Sequence, residues 1–380
     1  MSLQIEFLKS PPVFQPGEKV EGFVILELDE DMKARFVEIC AHGEAHAHWS
    51  ESEHRSRTDS QGKTVSYSES IPYSARKEYL HIAKKSWQGE KLPRGLHKFA
   101  FSFDLPPNFL PPSFECIYGN IRYYIHVTLD RPWIWNKRSK KCFTVIPQVN
   151  LLNYPFATCY TELAAARNTG LIFKSGIVEL KASIPKRGFV AGEIVPIQIH
   201  INNSSKKPII EISIKLLQKI RAIARRGSSF HTYSPNSTHY SVKNYEKTIE
   251  KHHEQLDLPK FTKSDFRVMM KIPVTVATFE ECPVIQVTYI ARIKIENDEM
   301  FMSSVTCDIP LVIGTIPIFT NLAPEVSQTS EAPPPYSLND SLPPSYEESM
   351  EKIEKDDFEP FCPIYPVFRN LPSAPPENAN

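Results

Sequence analysis

Nothing in this 380-residue chain is expected to enter a membrane by a leader or a spanning helix. Its first ten residues contain no apolar run of signal-peptide length. The greasiest stretch, residues 309–319, is broken by Gly314 and Pro317 and falls short of the roughly 20 apolar residues a span needs. Charge of one sign is also missing. Lys plus Arg and Asp plus Glu stand at 44 each, which gives no general field for nucleic acid or anionic surfaces. Seven scattered cysteines, odd in number and without a CxxC pair, point to reduced thiols in the cytosol and not to a disulfide framework or a zinc site. No GxSxG, HExxH, P-loop or GxGxxG occurs, so the chain offers no catalytic residues and no cofactor is expected. His42, His46 and His48 would share one face of a strand. The sequence itself assigns them no cysteine or carboxylate partner, and ordinary surface or core histidines are expected in place of a metal site.

Glycine is sparse, at 13, and the apolar residues alternate. Ile121, Tyr123, Ile125, Val127 and Leu129 fall on one face, as do Val287, Tyr289, Ala291 and Ile293. Period-two alternation predicts half-buried antiparallel strands. Residues 20–28, 98–105, 177–184 and 195–201 read the same way. Residues 211–224 are ambiguous by period, but their β-branched side chains favour strand. The ordered part is therefore predicted to be all-β.

The chain also repeats. Phe-Gln-Pro-Gly-Glu-Lys-Val (14–20) matches Phe-Val-Ala-Gly-Glu-Ile-Val (189–195). Each is followed by a long strand (36–49; 209–222), a polar stretch (50–64; 225–238) and a charged strand (65–71; 242–249). Two copies of one sandwich are predicted, at 1–150 and 171–320, joined by a linker at 151–170. Residues 321–380 hold 12 of the 33 prolines and few aliphatics. Such a segment cannot bury enough apolar surface to offset its conformational entropy, so a disordered tail is expected.

Several of these stretches resemble the α-arrestin (arrestin domain-containing) family. They are the turn at 14–20, residues 92–107, residues 110–124 running on to Leu-Asp-Arg-Pro-Trp (129–133), and residues 175–180 and 187–193. Ala191 stands where that family usually has proline. The resemblance implies an arrestin-like fold of two tandem Greek-key, immunoglobulin-like β-sandwiches plus the tail. It also implies no enzymatic activity. The role it implies is that of an adaptor between membrane-protein cargo and WW-domain HECT ubiquitin ligases, cytoplasmic and peripherally placed at plasma membrane and endosomes.

The tail carries matching motifs. Pro333, Pro334 and Tyr336 form one PPxY, and Pro343, Pro344 and Tyr346 a second. Consecutive prolines preform a polyproline II segment for an aromatic groove, and the tyrosine ring fills an adjoining pocket. Two copies allow avidity with tandem WW domains. Pro372, Ser373, Ala374 and Pro375 spell PSAP, which resembles ligands of the ESCRT-I complex; four small residues also arise easily in a Pro-rich tail. A vesicle-sorting or budding scaffold acting through PSAP is thus the alternative to the ligase adaptor. Lys215, Lys219, Arg221, Arg225 and Arg226 form a basic run that either meets acidic cargo or lipid, or is a solvated strand. Arg55 and Arg57 could pair with phosphates in the Ser-rich 50–60 stretch.

Overall fold

A computed structural model describes residues 1–58, 64–168, 176–227, 240–297, 304–318 and 361–368. The first half contributes β1 (Ser2–Phe7), β2 (Val13–Phe14), β3 (Lys19–Leu28), β4 (Met32–Lys33), β5 (Phe36–Thr58) and β6 (Thr64–Gln88). It continues with β7 (Lys91–Leu92), β8 (Gly95–Asp104), β9 (Phe114–Cys116), β10 (Gly119–Asp130) and β11 (Lys137–Val145). After a 3-10 turn at Leu151–Asn153 come β12 (Thr161–Asn168), β13 (Ile177–Ile184), β14 (Gly188–Val190) and β15 (Ile194–Asn203). The second half closes with β16 (Ile209–Arg226), β17 (Tyr240–Leu258), β18 (Thr262–Lys271), β19 (Ile285–Asn297) and β20 (Val305–Gly314). No helix among the described residues is long and apolar enough to cross a membrane.

The two halves are the same sandwich twice. A small sheet β1-β3-β8 faces β6-β5-β10-β11-β2, and β12-β13-β15-β18 faces β17-β16-β19-β20-β14. In each large sheet a short strand pairs parallel at the edge, β2 on β11 and β14 on β20. The alternation read from sequence is what fills the gap between sheets: Ile121, Tyr123, Ile125, Val127 and Leu129 are wholly buried, as are Val287, Ala291 and Ile293. The two large sheets join where β16 meets β6, pairing Arg225 with Ser74 and Arg226 with Tyr73.

The repeated turn has a physical reason. Gly17 and Gly192 take φ of +85° and +94°, where a side chain is strained. The following glutamate caps the turn: Glu18 accepts from the Gln15 N–H at 3.0 Å, and Glu193 from the Val190 N–H at 3.1 Å. Each glutamate also pairs with a lysine, Lys9 or Lys186. Each lysine ammonium lies 5.0 Å from the centre of the turn's phenylalanine ring, Phe14 or Phe189.

Three expectations are corrected. The polar stretch at 50–64 is not simply a loop, because β5 and β6 continue through it as a hairpin, with Ser50 to Thr58 paired to Pro72 to Thr64. Cross-strand charge pairs, such as Arg55 with Glu69 at 3.0 Å, supply what apolar alternation does not. The expected linker is shorter, since β12 pairs along β13 as an edge strand of the second sandwich. Its Ala-rich sequence carries little β signal.

The third correction concerns the tail, where residues 361–368 pack between the sandwiches. Tyr365, Val367 and Phe368 are buried. The Tyr365 hydroxyl donates to the Ser113 carbonyl at 2.9 Å, and the Ile364 N–H donates to Thr144 Oγ1 at 3.2 Å. On the other side, the Phe368 N–H donates to the Ala191 carbonyl at 3.0 Å. Composition averaged over sixty residues concealed one aromatic cluster with enough apolar surface to order itself.

Gly17 and Gly192 make a controlled pair. A Cβ on Gly17 meets only ordinary contacts, the nearest at 3.7 Å, whereas one on Gly192 would lie 2.1 Å from the Phe368 carbonyl oxygen. Gly17→Ala is expected to cost about 1–3 kcal/mol of backbone strain. Gly192→Ala should cost more, because it also unseats the tail. Denaturant unfolding of both variants, in the full chain and in a chain ending at residue 360, checks this. The excess cost at Gly192 should vanish in the shorter chain.

Candidate functional site

The two PPxY motifs (Pro333, Pro334, Tyr336; Pro343, Pro344, Tyr346) and Pro372–Pro375 lie outside the described residues. The structure does fix their neighbours. Residue 318 leaves the second sandwich, and residue 361 begins the packed segment, so both PPxY motifs sit on a length of chain anchored at each end. PSAP begins four positions after Phe368, the last described residue. Burial pushes the Tyr365 phenol above its ordinary value, which favours the neutral hydroxyl that its hydrogen bond requires.

Beside this anchor an open pocket of about 290 Å³ is lined by Pro11, Val13, Ile146, Pro147, Thr315 and Pro366 among others. Lys9 is its one ionisable lining residue, so it offers no acid–base pair.

The basic run on β16 is not one free cationic surface. Its pairing with β19 is continuous from Glu211 to Ala222, so Lys215, Lys219 and Arg221 do share a face. Lys219 lies 3.8 Å from Glu246, and Arg221 donates to Gln286 Oε1 at 3.2 Å. Arg225 donates to the Tyr240 hydroxyl at 2.9 Å, and Arg226 bridges to Glu53 of β5 at 3.0 Å. Registration adds two residues that sequence spacing did not supply, Lys251 and Arg292, which flank Lys215 on neighbouring strands. Glu246 and Asp308 both chelate Arg292, at 2.7 and 2.8 Å, and raise its pKa further.

A second surface was not picked out from the sequence. Between β10 and β11 the chain exposes Trp133 completely, Trp135 almost completely, and Ile134 for the most part. This loop is held, not loose: Arg131 Nε donates to the Trp135 carbonyl at 3.0 Å, and the Arg131 N–H to Asn136 Oδ1 at 3.3 Å. Trp133 sits at φ +66°. Lys137 and Arg138 follow at once, both exposed. The nearest acid, Asp130, is buried and neutralised by Arg35 at 2.7 Å. The signal in the sequence was Trp-Ile-Trp-Asn-Lys-Arg, but exposure decides its meaning, and that comes only from the fold.

His42, His46 and His48 do share the outer face of β5. His46 and His48 stack with ring centres 6.2 Å apart, while His42 turns to a cross-strand partner, His81.

Comparison with known proteins agrees with the duplicated sandwich. Residues 3–152 match the family description "Arrestin (or S-antigen), N-terminal domain", and residues 174–318 match "Arrestin (or S-antigen), C-terminal domain". Arrestin domain-containing protein 17 of Caenorhabditis elegans is 28% identical over 363 residues, covering 92% of this chain and 80% of the relative. Arrestin domain-containing protein 4 of Mus musculus is 25% identical over 317 residues, covering 81% and 70%. The human protein of that name is 25% identical over 312 residues, covering 80% and 68%. These relatives support an arrestin-like adaptor role, one that works by binding other proteins. With both arrestin domains matched in order across most of its length, the chain belongs to the arrestin family, among its arrestin domain-containing α-arrestin members.

Proposed function

We propose that this protein is a non-catalytic adaptor that links membrane-protein cargo to a WW-domain HECT ubiquitin ligase, promoting ubiquitination, endocytosis and endosomal sorting. The observation that carries the reading is the position of the paired PPxY motifs, ten residues apart between two anchored points of an arrestin fold. A ligase docked there is held close to whatever the sandwiches bind, and proximity replaces catalysis. No residue of this chain then needs a chemical role.

The Trp133–Trp135 loop supports peripheral work at a membrane. Two tryptophans beside Lys137 and Arg138 have the composition of an interfacial anchor. Each indole that leaves water contributes a few kcal/mol, at about 25 cal/mol per Å² of buried apolar surface. The loop is already ordered, so little entropy is lost on docking. By contrast, four of the five β16 cations, Lys219, Arg221, Arg225 and Arg226, have partners within the protein, and the run supports direct lipid contact less well.

Two measurements test these readings. A peptide of residues 332–348 should bind a tandem WW module with micromolar affinity, about −8 kcal/mol. The Tyr336→Ala/Tyr346→Ala peptide should not bind, and absence of wild-type binding would remove the ligase reading. In co-sedimentation with phosphatidylserine-containing vesicles, Trp133→Ala/Trp135→Ala should reduce binding of the full chain at least tenfold with its unfolding temperature unchanged. Equal binding by that variant would locate membrane contact elsewhere.

A further inference from the structure

On the outer face of the first large sheet, two imidazoles and a carboxylate converge. β5 and β6 pair His42 with His81, then Gly43 with Leu80, and then Glu44 with Glu78, so Tyr79 is an extra residue. Without this bulge, residues 78 and 81 would project from opposite faces. With it, both share the face of His42 and Glu44. His42 Nδ1 lies 3.2 Å from His81 Nδ1, and a Glu78 oxygen lies 3.9 Å from the first and 3.8 Å from the second.

The other nitrogen of His42 has a carboxylate behind it. Nε2 is buried, and Glu44 Oε2 at 3.5 Å is the acceptor it faces, long for a hydrogen bond and with no nearer partner. Glu44 also pairs with Arg76, so the carboxylate behind His42 is itself held in place. With Nε2 turned to Glu44, Nδ1 is the His42 nitrogen that faces the cluster. A carboxylate behind an imidazole is the outer shell that ligating histidines carry. His42 is walled by the Tyr124 ring, 5.0 Å away, whereas His81 and Glu78 are more than half exposed and give access from solvent.

The duplicated fold supplies a control. β16 and β17 pair Lys215 with Lys251, Leu216 with Glu250 and Leu217 with Thr248, leaving Ile249 extra, which is the same bulge in the second copy. There, Lys215, Lys251 and Thr248 stand where the first copy has His42, His81 and Glu78, and Arg292 stands where it has Tyr124. The fold requires the bulge and not the histidines.

We propose that His42 Nδ1, His81 Nδ1 and Glu78 form a binding site for a divalent cation of the zinc class, tying β5 to β6 at the bulge. Two nitrogens 3.2 Å apart, each about 2.0–2.1 Å from a cation, subtend about 100° there, near the tetrahedral angle. The Glu78 oxygen, at 3.9 and 3.8 Å, must close by about 0.6–0.7 Å to reach the same 3.2 Å spacing, which rotation of an exposed side chain supplies. His81, more than half exposed, carries its proton on Nε2 when Nδ1 is a ligand, and the fourth position is left for water. Nitrogen and oxygen donors of this kind favour Zn²⁺ over Mg²⁺ or Ca²⁺.

The test is calorimetric titration of Zn²⁺ into the EDTA-treated full chain, with Co²⁺ visible absorption as a second readout of a four-coordinate site. One equivalent should bind in the micromolar range or tighter. His81→Ala should weaken it at least tenfold and abolish the Co²⁺ spectrum, Glu78→Gln should weaken it severalfold, and His46→Ala/His48→Ala should leave it unchanged. Metal-free unfolding of each variant shows that the sheet is intact. Absence of a stoichiometric equivalent in the wild type, or its retention in His81→Ala, overturns the site and leaves a hydrogen bond between two imidazoles.

Discussion

Leu151 sits against two stretches of backbone that only glycine brings close enough. A Cβ on Gly314 would lie 2.5 Å from its Cγ, and one on Gly188 would lie 3.2 Å from its Cδ2. Leu151 is wholly buried in a small cluster with Ala157, Val190 and Phe368. Around it the chain leaving the first sandwich is held by hydrogen bonds to Thr315: the Val149 N–H donates to Thr315 Oγ1 at 2.7 Å, and the Thr315 N–H to the Val149 carbonyl at 3.0 Å. Phe114 of the first half meets Phe279 of the second edge-on at 5.8 Å. This seam fixes the relation of the two sandwiches, and the seat of the tail exists only because both sides of it are in place.

Much of the fold was legible because two-sheet burial imposes a period of two that few other architectures produce. Tyr123 and Tyr289 fell on the correct faces for that reason alone. The strands at 65–71 and 242–249 were legible, but the extension of β5 opposite the first was not, since beyond Trp49 it is held by cross-strand charge pairs that leave no apolar pattern. The tail segment was missed for a different reason. Tyr365, Val367 and Phe368 are spaced among prolines, and only the complementary groove distinguishes them from linker residues. Spacing named His42 as a candidate ligand but could not reach its partners, because His81 and Glu78 are brought in by a bulge that no local sequence rule announces.

Anchoring residues 361–368 changes the physics of what lies between. A motif on a free tail explores a volume that grows with length, whereas one on a chain fixed at both ends stays near the body that fixes it. For the WW partner proposed above, two PPxY copies within that span would make the second docking intramolecular. The charge pattern fits the same division. On β16, Lys219 pairs with Glu246 and Arg226 with Glu53, which ties the sheet to the first half, while Lys137 and Arg138 stay exposed beside the tryptophans.

The two copies show which features the sandwich itself demands. Both retain the left-handed glycine, the capping glutamate, its lysine and the phenylalanine beneath, so that turn belongs to the architecture. Both also retain the bulge one residue past the matched position. What differs is what each copy places on the shared frame. The second uses the space over Gly192 to seat Phe368 and fills its bulge face with cations, of which Arg292 is balanced by Glu246 and Asp308. The first leaves its turn open and fills its bulge face with imidazoles and carboxylates, whose lone pairs converge instead of cancelling. A frame that tolerates either set does not explain the histidines, and their convergence calls for a reason outside the fold.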